Sequence, residues 1–197
     1  GNRPPPTWLR VNRRRAGVEE VLERLAESGI DGQVDDRLPG AIRLDRSAAI
    51  AALPGFSEGL FSIQDAGAQT AARLLDLRDG QRVLDACAAP GGKSAHILEA
   101  ADVELTAIDN DPERLPRIEE NLRRLGLSGR VTLADASTGR DFGAGARYDR
   151  ILVDAPCSAT GVMRRHPDVR WLRRPDDVDR NRRTQRQILE TVWPQLE

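Results

Sequence analysis

The chain is poor in the residues that classify a protein quickly. Two cysteines in 197 residues build neither a disulfide framework nor an all-cysteine zinc site. The two histidines, His96 and His166, are isolated, so no metal site is expected. No apolar run approaches the roughly 18 residues of a membrane span; the longest, such as residues 48–53, are short, so no membrane partner is expected. Residues 1–6 are polar and Pro-rich, without the pattern of a secretory leader. A soluble protein of the reducing cytosol is the expectation. Lysine is nearly missing too: of 30 basic residues only Lys93 is a lysine. A GC-rich genome explains the arginines. It leaves Lys93 as a place that wants a compact ammonium rather than a guanidinium fork.

What is present suits a folded domain with a small neighbour. Hydrophobic residues make up 39% and charged residues 31%, with a net charge of −1, too apolar and too balanced for a disordered chain. The balance is not local. Arg3, Arg10, Arg13, Arg14 and Arg15 meet no acid within residues 1–15, and residues 164–186 carry nine arginines against four aspartates.

Periodicity predicts strands over residues 8–12 and 41–44 and helices over 17–28 and 48–53. Together they make a small α+β unit ending near residue 55. From residue 56 strands (82–86, 104–109, 130–133, 148–154) alternate with helices (65–75, 92–100, 112–125), which implies βαβ units and a parallel sheet covered on both faces.

The first of these strands runs into Asp85-Ala86-Cys87-Ala88-Ala89-Pro90-Gly91-Gly92-Lys93-Ser94. A tight loop of small residues before a helix N-terminus is a ligand cradle. It is no phosphate-binding P-loop, because Cys87 stands where the first glycine is needed, and G-x-G-x-x-G is absent. A nucleoside-type ligand and an ordinary glycine-rich turn both remain open. Asp109 ends the second strand, where doubly wound folds hold ribose hydroxyls, and Asp135 ends the third, either within reach of a base or as a turn acid. The fourth ends in Asp154-Ala155-Pro156-Cys157, an acid and a thiol at the ligand-binding end of a buried strand. Beyond it Arg164, Arg165, His166, Arg170, Trp171, Arg173 and Arg174 interleave cations with an indole. That pattern suits phosphate contact and base stacking, against the plainer reading of a solvated basic face.

At these residues the sequence resembles a family. DACAAPGGKS, AIDNDPERL, LADAS and DAPCSATGVMRRHPDVRWLRR, with FSIQDAGAQ before them, are similar to motifs of the S-adenosylmethionine-dependent RNA cytosine-C5 methyltransferases, in their bacterial 16S ribosomal RNA branch. The resemblance implies a Rossmann-like sheet. Residues Cys87, Ala88, Ala89, Pro90, Gly91, Gly92 and Lys93 would hold the methionine and ribose part of S-adenosylmethionine. Asp109 would hold the ribose, Asp135 would lie by the adenine, and Asp154 would lie between cofactor and an unpaired or flipped cytosine. It also implies that Cys157 helps release the product, whereas the attacking thiol is a second cysteine on a later strand. Neither cysteine here matches that one, so these 197 residues are expected to be an inactive fragment. A sheet ordered 3-2-1-4 would leave residues 150–153 as an open edge, to be completed by further sequence, paired with another chain, or only marginally stable. A non-catalytic RNA-binding module that keeps the cradle, and a DNA-type enzyme attacking through Cys157, are the alternatives.

Overall fold

The computed structural model describes residues 5–45, 49–139 and 145–197. Arg3 of the N-terminal arginine cluster and Ala48 of an expected helix lie outside them. The first unit is an antiparallel sheet of β1 (Trp8–Val11), β2 (Gly32–Val34), β3 (Ala41–Leu44) and β4 (Phe61–Ile63), ordered β2-β3-β1-β4. Helix α1 (Val18–Glu27) repeats apolar residues at helical spacing, and its Val21 and Leu25 join Leu9, Ile42, Leu44 and Phe61 in one core. Burying each of the larger of these side chains stabilises by roughly 1.5–3 kcal/mol.

Several details differ from the sequence reading. Strands β2 and β4 are too short, at three residues each, for alternation to reveal them. Strand β4 lies beyond residue 55 yet pairs with β1, so the first sheet reaches Ile63. The helix expected over 48–53 is one 3-10 turn, Ile50–Ala52. The helix expected over 65–75 shrinks to α2 (Thr70–Leu74), because the Gln69 amide turns inward and donates to the carbonyls of Gln64 (2.8 Å) and Leu9 (3.3 Å).

The second unit follows the expected alternation through β5 (Arg82–Ala86), α3 (Gly92–Ala100), β6 (Glu104–Asp109), α4 (Leu115–Leu125), β7 (Arg130–Leu133) and β8 (Arg150–Val153). It then runs into α5 (Val169–Leu172) and α6 (Pro175–Val192). The sheet is parallel and ordered β7-β6-β5-β8, the 3-2-1-4 arrangement. Central strand β5 buries Val83 through Ala86 on both faces. On one face Val83 and Ala107 meet Ile97 and Leu98 of α3 and Ile118 and Leu122 of α4. On the other Leu84, Ala86 and Ile108 meet Ile188 and Val192 of α6. All four strands therefore end at one edge of the sheet.

Strand β8 forms the other end of the order. At its start Tyr148 bridges Leu196 in parallel, with Tyr148 N–H donating to the Gln195 carbonyl (2.8 Å) and Glu197 N–H to the Tyr148 carbonyl (3.0 Å). Arg150–Val153 itself has no strand on its outer side among the described residues.

The two units are welded together. Gly59 comes so close to the end of α4 that a Cβ there would stand 2.2 Å from the Arg124 carbonyl oxygen. The Arg124 guanidinium lies 4.1 Å from the Phe56 ring centre and donates to the carbonyls of Phe56 and Phe61. Buried Asn12 donates to Gly59 and Leu125 carbonyls, at 3.1 Å each. Among the described residues no helix is long and apolar enough to cross a membrane.

Candidate functional site

The loop after β5 is built by left-handed backbone at Cys87 (φ 66°) and Gly91 (φ 93°). Only a glycine fits at 91, because a Cβ there would stand 3.0 Å from Ile118 Cα. Each segment of the loop is held. Ala88 N–H donates to the Ile108 carbonyl (2.8 Å), and Gly91 N–H to the Ala88 carbonyl (2.7 Å). Ala89 N–H donates to Asp109 Oδ2 (3.0 Å). From α4 and the residue before it, Arg114 donates to the Ala89 carbonyl (2.7 Å) and Asn121 to that of Pro90 (2.8 Å). From the first unit, Arg10 donates to the Gly92 carbonyl (3.0 Å). A cradle held in this way needs little further ordering when a ligand arrives. A Cβ added at Gly92 would meet nothing within 4 Å, so the mouth of the cradle is open.

The sheet edge gathers carboxylates here. Asp109 is 3% exposed; its oxygens accept from the N–H groups of Ala89 and Asp111, with Arg114 at 3.6 Å. Through the Ala89 N–H it fixes the loop. Asp135 accepts from the N–H and hydroxyl of Ser137, so it caps its own turn. Asp85 is fully buried. Its Oδ2 accepts from the Ser94 hydroxyl (2.6 Å), and its Oδ1 has no hydrogen-bond partner among the described residues. Burial pushes its carboxyl up to about 7, with the Ser94 hydrogen bond opposing. The Cys87 thiol is pushed up to about 11, by burial first and then by Asp109, Asp85, Asp154 and Asp135. Burial and these acids act in the same direction, favouring the protonated thiol of Cys87.

Lys93 sits in the first turn of α3, directly after the loop. Its ammonium lies 2.5 Å from Asp154 Oδ2, across the gap between the loops after β5 and β8. Cys157 is exposed, and its Sγ accepts from the Ala159 N–H (3.4 Å). The carbonyls on either side of it are pinned, Pro156 by Gln185 of α6 (2.7 Å) and Ser158 by Arg173 (2.5 Å). Of the arginines expected to meet nucleic acid, Arg173 is thus partly engaged, and Arg165 pairs with Asp65 and donates to the Pro6 carbonyl. Arg170, Arg174 and His166 are exposed, as is Arg164, and the Trp171 indole is 83% exposed. Arg164 and Arg165 also line a groove of about 360 Å³ shared with Pro6, Trp8, Gly67 and Gly161.

Sequence reasoning misses Arg10, Arg114, Asn121 and Gln185, which act on the two loops from elsewhere in the chain. It also passes over Asp85 as a site residue, although its place at the end of a buried strand is a signal.

Residues 72–197 match the family described as 16S rRNA methyltransferase RsmB/F, and residues 1–51 match the ferredoxin-like domain described as RsmF/B-like. A ribosomal RNA small subunit methyltransferase B from Cronobacter sakazakii is 47% identical over 99% of this chain, and the match covers 46% of that protein. The chain thus spans under half the length of the curated relatives it matches. Among solved structures, PH0851 superposes with a TM-score of 0.92 at 29% identity, over 98% of this chain and 44% of the other. A methyltransferase homologue from Pyrococcus horikoshii gives 0.83 at 28% identity, over 99% and 62%.

Proposed function

The chain belongs to the 16S rRNA methyltransferase RsmB/F family, and on that premise we propose that it holds S-adenosylmethionine for methylation of carbon 5 of a cytosine in 16S ribosomal RNA. The observation that carries this reading is the ion pair of Lys93 with Asp154, which joins a nucleoside cradle to an acid-and-thiol loop at one sheet edge.

The donors and acceptors fit the cofactor. Asp85 Oδ1 is a buried acceptor with no donor among the described residues, which an ammonium of the amino-acid end would satisfy. The open first turn of α3 suits its carboxylate. Asp109 takes the ribose, Asp135 the adenine side, and the backbone of Cys87 through Gly92 approaches closely. When bound, S-adenosylmethionine supplies a methyl group on a sulfonium.

The remaining chemistry belongs to side chains. Carbon 5 of cytosine is a poor nucleophile until a thiolate adds to carbon 6. Asp154, held by Lys93, contacts N3 and the amino group; a proton carried by this pair passes to N3 as the electron pair displaced from the 5,6 double bond arrives there, and returns to the pair when carbon 5 takes the methyl group. After carbon 5 has gained its methyl group, Cys157 takes the carbon 5 proton. The electron pair re-forms the 5,6 double bond, and the bond from carbon 6 to sulfur breaks. The attacking thiolate comes from outside these 197 residues, since Cys87 is protonated and Cys157 has the release step. The target cytosine is unpaired or flipped out. Arg164, Arg165, His166, Arg170, Trp171, Arg173 and Arg174 meet the RNA, with Trp171 as the stacking surface and the first unit adding Arg13, Arg14 and Arg15. The compartment is the cytoplasm, and the outer side of β8, which no strand covers among the described residues, takes a further strand, from additional sequence or from a partner.

Incubation with tritiated S-adenosylmethionine and 16S ribosomal RNA tests the reading. Cofactor retained on the protein with no label in RNA is the expected result. Label in RNA would assign the attack to Cys157 instead, and no retained cofactor would leave an RNA-binding module.

A further inference from the structure

We infer that Arg10, on the central strand of the first unit, is a positioning residue for the cofactor cradle of the second; the inference rests on the cofactor reading above. Its side chain is 4% exposed and reaches across the junction between the units. Nε and Nη2 grip the two Glu99 oxygens at 2.9 Å each, while Nη1 donates to Gln64 and, at 3.0 Å, to the Gly92 carbonyl. A guanidinium presents its donors in a fixed fork. With two of them fixed on Glu99 at the far end of α3 and a third on Gly92 at its start, the fork holds the helix along its length.

The consequence lies at Gly92. This residue opens α3, whose first-turn N–H groups form the anion-binding end of the cradle. Other contacts hold the loop from its own unit, through Asp109, Arg114 and Asn121. Arg10 is the grip from outside that unit. Deleting it leaves the first turn to be ordered by the ligand itself, which weakens binding. A purely structural ion pair predicts something else: stability falls and affinity stays.

The test separates the two. S-adenosylhomocysteine binding is measured by calorimetry on the intact chain, well below the melting transition of each variant. Glu99→Gln keeps the Gly92 contact and should leave affinity within about twofold, even with a lower Tm. Arg10→Lys trades the fork for a point charge and should lose about tenfold in affinity. The double variant Arg10→Met with Glu99→Leu removes the buried pair without leaving an unpaired charge, which often preserves folding; it should lose affinity to the same degree. Wild-type affinity in either Arg10 variant, or an equal loss in Glu99→Gln, overturns the inference while leaving the cofactor reading intact. A wild-type chain that takes up no S-adenosylhomocysteine overturns both.

Discussion

Lys93 Nζ lies 2.5 Å from Asp154 Oδ2, so the chain's single lysine joins its two functional loops. The pair is partly exposed, at 24% and 56% of the two side chains, and pairs of that kind contribute roughly 0–1 kcal/mol to stability. Lys93→Met should therefore shift the unfolding free energy in urea by no more than about 1 kcal/mol. By the proposed mechanism, the same change in a chain active on RNA should abolish methyl transfer. Full activity in that variant would remove the pair from the mechanism.

Buried Asp85 and half-buried His96 should tilt the pH dependence of stability in opposite directions. The Asp85 carboxyl is raised to about 7, so between pH 4 and 7 the folded state binds more protons than the unfolded state. Its contribution falls as pH rises through that window. The His96 imidazole is lowered to about 3, by burial first and then by Arg10 and Arg73. The unfolded state binds more protons there, and stability is lost as pH falls from about 6.5 towards 3. Asp85→Asn should leave a profile that climbs with pH over this range, and His96→Leu one that declines, measured by urea unfolding from pH 4 to 7. Parallel profiles in the two variants would refute both assignments.

The two thiols should react unequally. Cys157 is exposed, whereas Cys87 is half-buried, and burial first and nearby aspartates second favour its thiol form. Iodoacetamide at pH 7.5 should modify Cys157 and leave Cys87 largely intact, as read by mass spectrometry of peptides. Comparable modification of both would mean that Cys87 is neither shielded nor raised as its place in the loop implies.

Gln185 holds the Pro156 carbonyl from α6. Gln185→Ala should speed amide hydrogen exchange at Cys157 and Ala159 by about fivefold, the effect of losing one hydrogen bond of roughly 1 kcal/mol in a local opening. Exchange in the core strand β5 should stay as it was. An unchanged loop would show that Arg173 alone suffices.

The order of the second unit is legible in the sequence because its signals are local. Val83 and Leu84 sit in a short apolar run, Ile118, Leu122 and Leu125 repeat at helical spacing, and Gly126 stops the helix. The convergence of Asp109, Asp135 and Asp154 follows from their places at the ends of parallel strands. What stays hidden depends on contacts distant in sequence. Arg10 meets Gly92 across 82 residues, Asn121 meets Pro90 across 31, and Arg114 meets Ala89 across 25. No spacing rule reaches that far. In the sequence Arg10 is only one cation in a basic cluster, and Arg165 and Arg173 read as free for RNA, although Asp65 and Ser158 engage them in the fold. In the first unit β4 escapes notice because three residues carry no period, although the sheet is incomplete without them.

All of this chemistry requires that residues 85–93, with Asp109 behind them, form a cradle for a sulfonium nucleoside. Calorimetric titration of the intact chain with S-adenosylhomocysteine decides the matter. Saturable one-site binding is expected, and it should be lost when Gly91→Val drives a side chain against Ile118. No heat of binding at millimolar ligand, or undiminished binding in a folded Gly91→Val variant, would show that the cradle is an ordinary turn.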